Sequence, residues 1–151
     1  NRGHDYRAYE SAVIRARSRG LKVCTHLIVG LPGEQPMDSL TTLKQVVQTG
    51  TDGIKLHPLH IVEGSVLGKA WQAGRLPVIS LEEYVAAAVA MIQHTPPEVV
   101  YHRVSASARK PTLLAPEWCE NRWSGMVAIS EQLGRSGNQG TALGRPFLLQ
   151  P

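Results

Sequence analysis

Three stretches of the chain gather side chains able to do chemistry. The string LHPLH sets His57 and His60 around Pro58. Neighbours on a strand face opposite ways, so His57 and Leu59 share one side and Pro58 and His60 the other. A common metal would need a bend at Pro58, which proline can supply; otherwise one imidazole faces a pocket as a proton carrier or ligand. In YHRVSASARKP, residues 101–111, His102, Arg103, Ser105 and Ser107 alternate with apolar residues, and Arg109 and Lys110 follow. These cations could grip a carboxylate or phosphate, or close salt bridges to Glu98 or Glu117. In HLIVGLPGE an apolar run stops at a turn bracketed by Gly30 and Gly33. It is either a loop that lets backbone approach a ligand or a plain tight connection. His26, inside that run, is either a satisfied core imidazole or a pocket residue near the strand's carboxyl end. There is no G-x-G-x-x-G, no G-K-[ST], no Ser-His-Asp arrangement and no catalytic carboxylate pair. The catalytic group stays unassigned.

Alternating helix and strand patterns position these residues. Asp5 caps a helix that runs to about Arg19 and ends at Gly20, with Tyr6, Tyr9, Val13 and Ala16 at helical spacing. A buried strand over 21–29 follows, in which Cys24 packs as a small apolar residue. The next helix starts near Pro36, buries Leu40, Leu43, Val46 and Val47, and stops at Gly50. A strand-like run over 53–62 completes the repeat, its strand placed at 53–59. Helix, strand, helix, strand at this spacing implies parallel strands joined by right-handed crossovers. Beyond it come a short helix over 64–73 and a Ser80–Glu83 capping box opening a helix toward His94. A short strand over 99–104, a loop over 109–116 and a helix over 117–133 complete the pattern. Trp118 and Trp123 anchor that last helix, and the final stretch is irregular. The expected division is 1–62, 63–133 and a tail over 134–151. So few parallel strands leave an uncovered face and an open edge.

The 151 residues are enough for one compact core, and 42% hydrophobic with 19% charged residues is ordinary globular composition. No apolar run approaches the roughly 20 residues of a membrane span, and no leader is recognisable. Two cysteines far apart, Cys24 and Cys119, make no C-x-x-C pair, so no metal site is expected from this chain alone. Reduced thiols and a cytoplasmic location are the default. The net charge of +4 suits an anionic partner without specifying nucleic acid. The chain opens at Asn1 without a Met, and residues before it are expected to be missing.

The strings NRGHD, HLIVGLPGE, DGIKLHPLHI, HTPPEV and LLAPEWCENRW resemble the bacterial YhcC-type radical S-adenosylmethionine proteins, within the Elp3/MiaB/NifB-like radical SAM superfamily. The resemblance runs from Asn1 to about Pro146. It implies an α/β fold: the C-terminal part of a partial (β/α)6 TIM-like barrel with a mostly helical C-terminal extension. It also implies S-adenosyl-L-methionine and a [4Fe-4S] cluster in the full-length parent, an electron donor, and a 5′-deoxyadenosyl radical that abstracts hydrogen from an unidentified substrate. The cluster-holding cysteines of that family are absent here, so the chain alone is expected to bind no cluster and to be inactive. By resemblance, Arg2 would pair with the methionyl carboxylate, and His26, Ile28, Gly30 and Leu59 would lie along the adenosyl end. His57, His60, Arg103 and Arg109 are the candidates for a substrate wall. Two rival expectations are an RNA-binding accessory module and a non-radical α/β-barrel enzyme using His57 or His60.

Overall fold

The computed structural model describes residues 3–145. Helix α1 (Tyr6–Arg17) begins where the Asp5 carboxylate accepts from the Ala8 amide at 2.9 Å. Strand β1 (Cys24–Val29), helix α2 (Pro36–Thr49) and strand β2 (Gly53–Pro58) follow. The strands lie side by side and parallel, with Leu27 opposite Leu56 in register. This is the pairing the alternating pattern predicts. A third parallel strand, β4 (Val100–Arg103), joins the far side of β2, giving the order β1-β2-β4. Between them lie β3 (Ile61–Val62), α3 (Val66–Gln72) and α4 (Leu81–Gln93). Strand β5 (Leu113–Ala115), a 3-10 turn (Glu117–Glu120) and α5 (Ser124–Ser136) complete the chain.

Helices α2, α4 and α5 gather on one face of the sheet. Leu27 and Val29 of β1 and Ile54 and Leu56 of β2 are buried with Leu40, Leu43 and Val46 of α2, Tyr84, Val85 and Ala88 of α4 and Ile129 of α5. Each such side chain contributes roughly 1.5–3 kcal/mol when removed from water. α1 reaches the same face, where the Tyr9 and Thr25 hydroxyls are 2.8 Å apart. On the other face Cys24, His26 and Ile28 are exposed, one position out of phase with buried Thr25, Leu27 and Val29. The uncovered face expected for so small a sheet is therefore present.

Several sequence-based expectations need correction. The first strand begins at Cys24, not Leu21: the Val23 amide donates to the Asp52 carboxylate at 2.9 Å instead of to a strand. Cys24 is exposed, not packed. The run over 53–62 is two strands, because Ile61–Val62 turns away to pair antiparallel with Leu113–Ala115. That pairing puts a strand in the expected loop over 109–116. The expected helix over 117–133 breaks at 121–123, where the Asn121 side chain accepts from the Trp123 amide at 3.0 Å, and α5 runs on to Ser136. Part of the expected irregular tail is docked: Gln139 donates to the carbonyls of Pro96 and Val99 at 2.7 and 2.8 Å. The capping boxes at Gln35–Asp38 and Ser80–Glu83 both form, the second as read from the sequence. No helix among the described residues is long and apolar enough to cross a membrane.

Candidate functional site

β4 ends at Arg103, opposite Lys55 of β2, and the chain leaving it bends across the start of α5. Between them opens a cleft of about 550 Å³ lined by His57, His102, Arg103, Ser105, Ser107, Arg109, Arg122, Trp123 and Met126, with Glu120 at its rim. The irregularity opposite Ile54 and Lys55 shifts β4 by one residue. Gly53 then lies under the His102 ring, where a Cβ would stand 2.7 Å from the imidazole. At the other wall the space beside Gly125 is filled by the Ser105 hydroxyl, which brings the first turn of α5 against the segment leaving β4.

The two histidines of LHPLH meet. Their rings are 4.4 Å apart and edge-on. Strand alternation predicts opposite faces, but the strand ends at Pro58, and beyond it the alternation no longer applies. His57 Nδ1 lies 2.6 Å from the Pro58 carbonyl oxygen, which can only accept, so Nδ1 carries the proton. His60 is half-buried, and its Nε2 is buried with no hydrogen-bond partner. Desolvation, then the His57 and Arg103 charges, hold it down at about 4 against a backbone hydrogen bond to Ala106.

The cations divide. Lys110 is paired to Glu120 at 2.9 Å and more loosely to Glu117 at 3.8 Å. Arg103 and Arg109 make no ion pair among the described residues, and the Arg103 Nε is buried without a partner. Arg122 stacks over the Trp123 ring, 4.5 Å from its centroid. Trp118 does anchor: its Nε1 donates to the Ile79 carbonyl at 3.2 Å and its ring packs 5.2 Å from that of Tyr84. Trp123 is half exposed at the cleft mouth.

The glycine turn closes on itself. The Glu34 carboxylate accepts from the Gly30 and Leu31 amides at 2.7 and 2.8 Å and from the Ser39 hydroxyl at 2.7 Å. The amides that could have held a ligand's anion hold this one. Gly30 has φ +90°, and the side of its Cα that lacks a side chain is filled by Ile79. Leu59 continues the β1 pairing, donating to the Val29 carbonyl at 2.9 Å. His26 and Ile28 lie on the uncovered face in register with Lys55 and His57. Arg2 lies outside the described residues. The structure thus brings His57, His60, Arg103 and Arg109 to one cleft and its edge, and places His26, Ile28, Gly30 and Leu59 along the β1–β2 ends. Sequence reasoning missed Glu34, Arg122 and Glu120. The spacing of Glu34 four residues after Gly30 was the available signal for the first.

The Radical_SAM C-terminal domain matches residues 51–135, more than half of the chain. The chain belongs to this family. It is 65% identical over 148 residues to protein YhcC of Escherichia coli K12, covering 98% of this chain and 48% of YhcC. It is 33% identical over 138 residues to YtqA of Bacillus subtilis, covering 91% of this chain and 43% of YtqA. This YhcC-like chain thus spans about half the length of the curated relatives it matches. Its fold matches the archaeal Methanocaldococcus infernus Elp3 with an N-terminal deletion at a TM-score of 0.80, over 92% of this chain and 33% of that one, at 20% identity. That likeness concerns the α/β fold with its parallel sheet.

Proposed function

We propose that this chain is the later part of the partial (β/α)6 barrel of a radical S-adenosylmethionine enzyme, with the open face of β1-β2-β4 turned to the barrel's interior. The observation that carries the reading is the one-sided sheet: helices cover the face of Leu27 and Leu56, while Cys24, His26 and Ile28 stand exposed on the other. In a barrel each strand is covered by helices on its outer side and turns its other side to the interior, and family membership supplies the class.

The donor set for a [4Fe-4S] cluster does not fit this chain. Its two cysteines are an exposed Cys24 and a buried Cys119 whose thiol burial pushes up to about 12. S-adenosylmethionine fits better. Ile28 offers exposed apolar surface at the strand end, and Leu59 and His26 flank it, with Arg2 assigned to the carboxylate by resemblance. When bound in such enzymes, that cofactor supplies hydrogen-atom abstraction. This chain's residues contribute the wall: His57 presents an unprotonated Nε2 when neutral, and Arg103 and Arg109 offer donors. Three arginines converge on this one cleft, which supports a small anion as the ligand.

Anaerobic reconstitution of the full-length protein with iron, sulfide and a reductant tests the reading. 5′-Deoxyadenosine should form from S-adenosylmethionine. No such product, or no upstream C-x(n)-C-x-x-C in the gene, defeats it. One observation favours a second reading, acid-base chemistry: the His57 tautomer is fixed at the cleft wall. An activity unaffected by His57→Gln would remove it.

A further inference from the structure

We propose that the cleft between the carboxyl end of β4 and the start of α5 is an oxyanion site, recognising a phosphate or carboxylate group of the substrate. This rests on reading the cleft as the substrate wall. Three guanidinium groups line it, from Arg103, Arg109 and Arg122. Its one acid, Glu120, already has an oxygen 2.9 Å from the Lys110 ammonium. The positive charge of the cleft is therefore not neutralised from within.

Buried donors carry the argument further. Desolvating a guanidinium N–H without a partner is unfavourable. The Arg103 Nε is in that state, on a side chain that makes no ion pair among the described residues. An oxyanion held beside Arg103 would pair with its guanidinium and relieve the mutual repulsion of the arginines. Arginine matches planar or tetrahedral oxyanions through paired N–H donors, a match lysine does not reproduce. The Ser105 and Ser107 hydroxyls add donors on the same wall. The first turn of α5, whose N-cap Trp123 makes no side-chain capping bond, adds positive potential beside Arg122. A volume of about 550 Å³ suits a small metabolite, falling within the roughly 300–1,000 Å³ of ligand pockets.

The test uses the full-length protein prepared without iron, so that binding is separated from radical chemistry. Inorganic phosphate, pyrophosphate and citrate are titrated at constant ionic strength, read by calorimetry and by tryptophan fluorescence, because Trp123 lines the cleft. Saturable binding is expected, weakened at least tenfold by Arg109→Gln at an exposed position, with circular dichroism checking that the variant is folded. Arg109→Lys should recover only part of the loss. Trp123→Phe should abolish the fluorescence change and keep the heat. Preference for the phosphates or for citrate assigns the group. Binding absent for all three anions overturns the proposal, as does binding that Arg109→Gln and Arg103→Gln leave unchanged, or a preference for RNA over every small anion. Anion binding without 5′-deoxyadenosine in the reconstituted protein overturns the radical reading and supports the site; 5′-deoxyadenosine without anion binding does the reverse.

Discussion

Gly30→Ala is the substitution that separates a structural glycine from a ligand-contacting one. Gly30 has φ +90°, and a Cβ there would stand 2.9 Å from Ile79 Cγ2 and 3.0 Å from Ile79 Cβ. The left-handed backbone costs an L side chain about 1–2 kcal/mol. Pressing a methyl into occupied space costs roughly 1–3 kcal/mol more. The stiffer unfolded chain returns about 0.5 kcal/mol. The net is about 1.5–4.5 kcal/mol, or roughly 3–18 °C in Tm for a domain of this size. Gly33→Ala is the matched control: φ is +80° there, but no atom lies within 4 Å of the added Cβ, so only the backbone strain applies. The contact is isolated with Ile79→Ala, which removes Cγ2 and Cδ1. The double variant should be more stable than the sum of the single effects by about 1–2 kcal/mol. Urea unfolding followed by far-UV circular dichroism reads the four variants and the unsubstituted protein. Equal losses at Gly30 and Gly33, or an additive cycle, would refute the packing argument and return Gly30 to the ligand.

Other consequences are open to measurement. The Asp52 carboxyl is held down at about 2 by the Val23 amide first and then by Lys22, with Arg17 adding charge. Because its folded value is depressed, its stabilisation is complete above about pH 4 and is lost as pH falls through about 2; Asp52→Asn should flatten that acid limb in a pH series of urea midpoints. Gln139→Ala removes two hydrogen bonds that tie the tail to the Pro96 and Val99 carbonyls, a loss of about 1–2 kcal/mol by the same unfolding assay. Cys24 is exposed while Cys119 is buried with its thiol pushed up to about 12. In the folded chain an alkylating reagent should therefore modify Cys24 first, and mass spectrometry showing equal rates would contradict this.

The elements written in local periodicity were legible. The strand ending at Val29, the helix stopped by Gly50 and the Ser80–Glu83 box all formed. What was not legible depends on partners distant in sequence. Leu21–Val23 is as apolar as the strand it precedes, but Asp52, about thirty residues on, captures the Val23 amide. Two-residue β3 exists because residues 113–115 pair with it. Cys24 was misplaced because an apolar count ignores that β1 is covered on one side. Of the candidate site, the histidines and Arg103 and Arg109 were visible as residue types. Arg122 was hidden by the expectation of an unbroken helix, whose break at Asn121 turns it and Trp123 to the cleft.

The placement of unspent donors changes which motif matters. By sequence, the glycine-bracketed turn had the stronger claim on an anion, since turns of backbone amides before a helix bind phosphate. In the fold that capacity is consumed: Glu34 reaches back four residues, takes both amides and a hydroxyl, and sets the turn's shape. An external anion would have to displace a carboxylate that is covalently held at high local concentration. The cleft at β4 has the opposite balance. Its acid is bound by Lys110, its arginines make no ion pair among the described residues, and one guanidinium nitrogen is buried and unbonded. His60 reports the same field, since the charges of His57 and Arg103 add to desolvation in keeping its ring neutral down to about pH 4. An anion entering there would raise that value by offsetting the positive charge. A histidine titration followed by NMR should move His60 upward on adding phosphate, and a His60 shift unmoved by saturating anion would place the anion elsewhere.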